Sequence, residues 1–284
     1  MKANEINIRD PFVLFDNGKY YLYGTRAENF GRHTKGFDVY ISENLVDFTE
    51  PLECFNSEVY GLDREVNWAP EVHKYNGKYY MFATFTKENR LLGTYALKAE
   101  KPEGPFTPHS KGALTPDEWE CLDGTLYIDK SGQPYLVFCH EHTQIIDGTI
   151  CYMKLKKDLT EADGEPVLIF SGSSPEWADR KPAGDHYVTD GPFMFRTKSD
   201  ELLMLWSTSA KSKYCQCVAK SENGEIDGKF IHLPPIITDD GGHGMIFSFE
   251  NQLTLTFHSP NKTGFERPVF KKIEDLGDSI KIAE

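Results

Sequence analysis

DPFVLFDNGKYYLYG at residues 10–24 and APEVHKYNGKYYMFA at residues 69–83 are one pattern written twice. Superposing Gly18 on Gly77 puts Pro11 on Pro70 and Tyr20-Tyr21 on Tyr79-Tyr80. Three more copies follow: DGTLYIDKSGQPYLVF (123–138) with one extra turn residue, DGPFMFRTKSDELLML (190–205), and a looser GHGMIFSFENQLTLTF (242–257). Each is an apolar-rich strand, a polar or glycine turn, and a second strand rich in aromatic or branched residues, the signature of a β-hairpin. The first four copies are followed by a further strand segment, FDVYIS, LGTYALKA, GTICYMKL and YCQCVAKS. No long window carries a helical period. The unit returns every ~50–65 residues, the spacing of a four-stranded propeller blade with loop insertions. A β-sandwich also alternates, but it does not need the same turn chemistry at the same phase five times. The expected fold is therefore all-β, a five-bladed β-propeller forming a single domain over residues 1–284. The fifth unit is short, and residues 1–9 are expected to supply its missing strand, which would pair the chain ends and remove exposed edges.

Composition narrows the function. The 284-residue chain carries a net charge of −13, dispersed along its length. Such a surface repels phosphate backbones, so nucleic acid is not an expected partner. Apolar residues make up 39% with no run near the ~20 residues of a membrane span, so no membrane is expected either. The opening MKANEINIRD has no apolar core of a secretory signal. The six cysteines (Cys54, Cys121, Cys139, Cys151, Cys215, Cys217) form no CxxC pair or zinc-like cluster. They read as reduced, mostly buried thiols of a cytoplasmic protein. Nothing in the sequence sets an oligomeric state.

The chemistry is suggested by what stands first in each repeat. In a propeller the innermost strands line a central channel, and their first residues gather at one face. Those residues are Asp10, Ala69, Asp123, Asp190 and, in the fifth unit, His243. A lone Asp before Pro or Gly is ordinarily a turn former. Three at a shared phase would crowd like charges and separate their pKa values, as acid–base chemistry requires of two carboxylates working at one pH.

The segments RDPFV (9–13), NWAPEVH (67–73), LDGTLYID (122–129), VTDGPFMF (188–195) and GGHGMIF (241–247), in order over nearly the whole chain, resemble glycoside hydrolase family 43. The resemblance implies an inverting glycosidase on a five-bladed propeller, in a family of arabinofuranosidases, arabinanases, xylosidases and galactan-cleaving enzymes. Asp10 matches the general base and Asp123 the third carboxylate, which raises the pKa of the acid. The family's acid motif is usually Glu-Gly-Pro; here it is Asp190-Gly191-Pro192, one methylene shorter. Asp190 on a closer backbone is the preferred acid, Glu141 in CHEH (139–142) the alternative, and a weakened relative the third reading. Glu141 could equally be a loop ion-pair partner beside His140 and His142.

Trp68, Glu71 and Arg267 are expected to bind substrate. Their plainer roles are a wedge between blades, a strand-end carboxylate on backbone donors, and a surface ion pair with Glu266. His243 resembles the fifth-blade histidine that faces a calcium or sodium ion, or water, so a central Ca²⁺ is the one metal considered. The chemistry itself requires no cofactor, and the ligand spacing of a catalytic zinc is missing. The substrate is expected to be an oligosaccharide, cleaved from its end to release α-L-arabinofuranose, or failing that β-xylose or galactose. Two alternatives are a carbohydrate-binding propeller without turnover and a glycoside phosphorylase. The latter would need a phosphate-holding cluster such as Arg180, Lys181, His186 and Arg196.

Overall fold

Asn17-Gly18 and Asn76-Gly77 both hold positive φ at each residue (48° and 79°; 47° and 76°). Tight turns of this kind match the right-handed twist of the strands they join. They close the first hairpins of two of the five blades in a computed structural model that describes residues 1–180 and 185–283. Blade one is β1 (Ile8–Asp16), β2 (Lys19–Arg26), β3 (Phe37–Ser42) and β4 (Leu52–Phe55). Blade two is β5 (Asn67–Tyr75), β6 (Lys78–Thr86), β7 (Leu92–Ala99) and β8 (Thr107–Pro108). Blade three is β9 (Cys121–Ile128), β10 (Pro134–His140), β11 (Thr149–Lys154) and β12 (Val167–Ser171). Blade four is β13 (Asp190–Arg196), β14 (Leu202–Ala210), β15 (Lys213–Ser221) and β16 (Phe230–Ile237). Blade five is β17 (Gly242–Phe249), β18 (Gln252–Ser259), β19 (Arg267–Asp275) and β20 (Ile280–Ile282).

Every sheet is antiparallel in simple sequence order. The innermost strands β1, β5, β9, β13 and β17 touch in that order, and β17 returns to β1, so the ring is closed. Both faces of each blade meet a neighbour. The middle strands are accordingly almost continuous buried runs, such as Leu202–Leu205 and Tyr79–Phe85. Trp206, Phe82, Phe138 and Tyr23 are among the largest fully buried side chains. Burial of a side chain of this size is worth ~1.5–3 kcal/mol. All six cysteines are free and buried. Among the described residues no helix is long and apolar enough to cross a membrane.

Closure differs from the expectation. Residues 1–9 do not complete blade five, because its fourth strand is β20, paired with β19 from Ile273↔Ile282 to Asp275↔Ile280. Each blade is built from one contiguous segment. The N-terminal stretch instead wedges between the first and last blades. Asn7 Nδ2 donates to Glu266 O (2.8 Å), Arg9 pairs with Glu266 (2.8 Å), and Arg267 Nε donates to Asn4 O (2.9 Å).

Candidate active site

All five innermost strands break register at the same place. The pairing shifts between Arg9 and Phe12, Trp68 and Glu71, Asp190 and Phe193, and Gly242 and Met245. In blade three the matching shift lies opposite Val137/Cys139. Each break is a β-bulge, and its first residue is left-handed: Asp10 (φ 52°), Ala69 (46°), Asp123 (56°), Gly191 (51°) and His243 (53°). This corrects the phase read from the sequence. Asp190 is not the blade-four counterpart of Asp10; Gly191 is. Asp190 stands one position earlier, with Arg9, Trp68 and Leu122. The prolines carried the signal, since Pro192 falls in line with Pro11 and Pro70.

A bulge frees an amide that must find an acceptor. Four of the five find it on a side chain from the second strand of the preceding blade. Ala69 N–H donates to Thr25 Oγ1 (2.7 Å), Asp123 N–H to Thr84 Oγ1 (3.0 Å), His243 N–H to Ser207 Oγ (2.7 Å), and Asp10 N–H to His258 Nδ1 (3.2 Å). Blade three has Cys139 at that register, opposite Leu122. A thiol is a weak acceptor, and Gly191 N–H donates instead to Asp123 Oδ2 (3.0 Å). Glycine is required at 191: a Cβ there would lie 2.6 Å from the His243 ring, on a backbone already at positive φ.

The bulge residues bring Asp10, Asp123 and His243 together on the axis. His243 Nδ1 is 3.1 Å from Asp10 Oδ1 and 3.7 Å from Asp123 Oδ2. Burial favours the neutral imidazole, but Asp10, Asp123 and then Asp190 outweigh it and push its pKa up to about 10. Asp10 is the converse. Burial would raise its pKa, yet His243 and Arg9 hold the carboxyl well below the usual carboxylate range. Thr25 Oγ1–H also donates to its Oδ2 (2.6 Å). His258, stacked on Tyr214 with ring centres 5.5 Å apart, is pushed down to about 3 by burial and by Arg9, so it stays neutral and presents Nδ1 as an acceptor. Asp123 goes the other way from Asp10: burial raises its pKa, and the charges of Asp190 and Asp10 add to the rise.

A cavity of about 330 Å³ opens onto this cluster. Asp10, Asp123 and His243 line it, and the preceding register position supplies Arg9, Trp68, Leu122 and Asp190 to its walls. Gly242 fills that position in blade five. A Cβ there would sit 2.6 Å from the Tyr214 ring, whose hydroxyl donates to Asp190 Oδ2 (3.1 Å). Glu141 reaches the cavity from a different direction. It follows β10 and caps the one-turn helix α1 (His142–Ile145), its Oε2 accepting from His142 N–H (2.9 Å). Burial first, then the charges of Asp190 and Asp123, push its carboxyl up to about 8. The cavity thus holds one carboxyl kept ionised, Asp10, and two pushed up to about 8, Asp123 on the axis and Glu141 on the wall; an ionised and a protonated carboxyl in one cavity are what an acid–base pair requires.

Two expected binding residues are elsewhere. Arg267 is spent on the backbone carbonyls of Asn4 and Glu266, and Glu71 is buried against His73 Nε2 (3.2 Å); neither lines the cavity. Trp68 does line it, its Nε1–H donating to Phe30 O (2.6 Å). Phe30, Arg9 and Arg32 also line it and were not singled out from the sequence. Arg9 was legible as the residue before Asp10, in the column of Trp68 and Asp190.

The metal assignment of His243 does not fit either. Its Nδ1 faces Asp10, and the imidazolium is itself the cation that offsets the carboxylates. Among the described residues no group of three or more His, Cys, Asp and Glu is arranged to hold a metal ion. The cations proposed for phosphate are dispersed. Arg196 bonds Tyr127 and Glu225, Arg180 pairs with Asp185, His186 meets His142, and Lys181 lies outside the described residues. A larger cavity of about 440 Å³ between β16 and β20 has only Lys281 as a charged group and holds no acid–base pair.

Comparisons with known proteins agree with this geometry. Residues 5–269 match the model of the glycosyl hydrolases family 43. The endo-arabinase from Bacteroides thetaiotaomicron VPI-5482 superposes with a TM-score of 0.88 at 36% identity, covering 96% of each chain. Among curated relatives, xylosidase/arabinosidase 43A of Humicola insolens is 30% identical over 144 residues, 45% of this chain and 42% of that protein. The extracellular endo-alpha-(1->5)-L-arabinanase 1 of Bacillus subtilis (strain 168) is 24% identical over 147 residues, 48% of this chain and 44% of that protein. The matched region therefore spans less than half the length of these curated relatives.

Proposed function

Because the chain belongs to the glycosyl hydrolases of family 43 and is a glycoside hydrolase, we propose that it hydrolyses arabinofuranosyl or xylosyl linkages with inversion, Asp10 acting as base and Glu141 as acid. The observation that carries this reading is the opposite protonation of two carboxyls lining one cavity. Asp10 is held ionised by His243, and Glu141 is held neutral by burial beside Asp190 and Asp123. In the reaction, Asp10 takes a proton from water as its oxygen bonds the anomeric carbon. The glycosidic C–O bond breaks, and its oxygen takes the Glu141 proton. Inversion needs room for that water, hence a base–acid separation of about 6.5–9.5 Å.

Asp190, preferred as the acid on sequence grounds, is reassigned. Its Oδ2 accepts from Tyr214, and after burial it is the next cause of the raised Glu141 pKa. Asp123, its own pKa raised, is fixed by the Gly191 amide. Arabinofuranose is the first choice of sugar, supported by the 36%-identical endo-arabinase, with xylose next. Release of terminal units fits a cavity of about 330 Å³, near the lower bound for ligand pockets. The test is an NMR time course on α-1,5-arabino-oligosaccharides and β-1,4-xylo-oligosaccharides. Inverted monosaccharide should appear first with the wild-type chain and be lost with Asp10→Asn. Retained anomer would refute the mechanism, and early internal cleavage would refute the terminal mode.

A further inference from the structure

The carboxyl of Glu141 is held by the residue that follows it. Its Oε2 accepts from His142 N–H (2.9 Å), which leaves the acid's proton to Oε1. The ring of His142 faces that oxygen, with Nε2 3.4 Å from Oε1. His142 is buried and lines the cavity beside Glu141. The other groups that act on Glu141 are carboxyls: Asp190 of β13, Asp123 of β9, and Glu120 just before β9. His142 thus sets a basic ring among them, against the oxygen that bears the proton.

The second nitrogen of that ring is engaged from a different part of the chain. His142 Nδ1 lies 3.0 Å from His186 Nδ1, with the two rings at 72°. Two ring nitrogens so close need one proton between them, one ring donating and the other accepting. The contact therefore fixes the plane of the His142 ring, and it bars both rings from being imidazolium together. A further positive charge there would stabilise the Glu141 carboxylate and cost the acid its proton.

His186 is itself anchored. It precedes Tyr187, whose N–H donates to Ile146 O (3.0 Å) and whose carbonyl accepts from Gly148 N–H (2.9 Å). The segment leading into β13 is thereby stitched to the turn that ends α1. That turn is strained: Ile146 is β-branched, yet it holds φ 69° and ψ −56°. Burial does not offset the strain, since Ile146 is 60% exposed. Strain fixed by over-determined surroundings clusters at functional sites. What this seam achieves is the placement of His186 against His142. The cavity is lined by His142 and not by His186, so His186 reaches the reaction only through its neighbour.

We propose that His142 and His186 are a positioning pair for the general acid, His186 fixing the His142 ring and the ring fixing the Glu141 carboxyl toward the leaving-group oxygen. The proposal rests on the reading of Glu141 as the acid, and the experiment separates the two. It measures kcat/KM on arabino- and xylo-oligosaccharides and on nitrophenyl glycosides, with Tm, for His186→Ala, His186→Asn, Glu141→Gln and the double variant Glu141→Gln/His186→Ala. His186→Ala is expected to lose about ten- to a hundredfold on the oligosaccharides, the cost of a misplaced catalytic group. On activated glycosides, which need no acid, it should lose about threefold or less. Asparagine sets an amide atom where Nδ1 stood, so His186→Asn should stay within about threefold of the parent on both. Added to Glu141→Gln, His186→Ala should cost nothing further, because a pair acting through Glu141 has nothing left to position. If His186→Ala does not fold, His186→Gln, whose amide stands at the Nε2 position instead, gives the same contrast with His186→Asn. Equal losses on both substrate classes, or a further loss in the double variant, would overturn the proposal and make the pair a structural brace. A leaving-group signature in Glu141→Gln that His186→Ala lacks would also overturn it, while leaving the acid in place. Absence of that signature from Glu141→Gln would overturn the acid reading and the proposal with it.

Discussion

Replacing Glu141 with Gln should do two opposite things, and the structure sets the scale of both. The carboxyl is raised from an ordinary 4.5 to about 8. Between those values the folded chain keeps a proton that the unfolded chain has released, so the stability that Glu141 contributes is complete below about pH 4.5 and falls as pH rises toward 8. Each pH unit in that window costs about 1.36 kcal/mol, an upper limit on the order of 5 kcal/mol for a group so nearly buried. Gln keeps the shape and loses the charge. Above pH 8 the variant should therefore be the more stable protein, by up to ~10 °C in Tm at ~2 °C per kcal/mol for a chain of this size. The difference should shrink to nothing near pH 4.5.

Activity should move the other way. Loss of the acid should lower turnover of arabino- or xylo-oligosaccharides by about two to four powers of ten. Aryl glycosides with activated leaving groups depart without protonation and should lose about tenfold or less. The alkaline limb of the wild-type profile, expected near pH 8 because only protonated Glu141 donates, should flatten. Thermal melts from pH 4.5 to 9 and paired kinetics on the two substrate classes check this. The reasoning is refuted if Asp190→Asn shows the leaving-group signature and the flattened alkaline limb while Glu141→Gln shows neither.

Asp10→Asn should fold, since Thr25 and His258 can still bond an amide, and should lose about two to four powers of ten in turnover on all substrates irrespective of leaving group; near-wild-type rates would make Asp10 a turn former only. His243→Gln removes the imidazolium between Asp10 and Asp123, so the acidic limb should move up toward neutral pH and stability should fall by about 3–5 kcal/mol. Because the His243 pKa is raised to about 10, the stability it contributes is complete below about pH 6.5 and disappears as pH rises through 10, so urea melts of the two proteins should converge at high pH. Cys139→Ser supplies the missing acceptor for the Gly191 amide, and the freed Asp123 should shift the alkaline limb of kcat/KM while Cys139→Ala leaves it in place.

The repeat, the hairpin turns and the identity of two of the axial carboxylates were legible because each depends on local chemistry that recurs: Asn-Gly for a left-handed pair, Pro or Gly after a bulge. The phase of blade four was misread because Asp190 resembles Asp10 in type, whereas the backbone is set by the residue before the proline, which is Gly191. Arg267 and Glu71 were misplaced because an arginine's reach and a strand residue's depth along the channel are tertiary quantities. Ring closure was misjudged because three residues, Ile280–Ile282, suffice as an outer strand once β19 is in place, and so short a strand leaves little periodicity to read. Phe30 went unnoticed because its place is a tertiary quantity: the sequence ENFG gives no sign that the aromatic lines a cavity.

The bulge amides explain why the chemistry sits where it does. Each of these three axial bulges is braced by a side chain of the preceding blade, so the geometry of Asp10 depends on His258, that of Asp123 on Thr84, and that of His243 on Ser207. Alignment of the axial side chains is thus coupled to the packing of one blade on the next. Where the brace is missing, at Cys139, the orphaned amide of Gly191 takes its acceptor from Asp123 itself. A backbone donor fixed on one oxygen favours the ionised form of that carboxylate and points it across the axis. Burial, with the charges of Asp190 and Asp10, nevertheless pushes Asp123 up to about 8, beside Glu141. The replacement of a hydroxyl by a thiol in one blade of five is thus a physical route by which a repeating scaffold can become an asymmetric site.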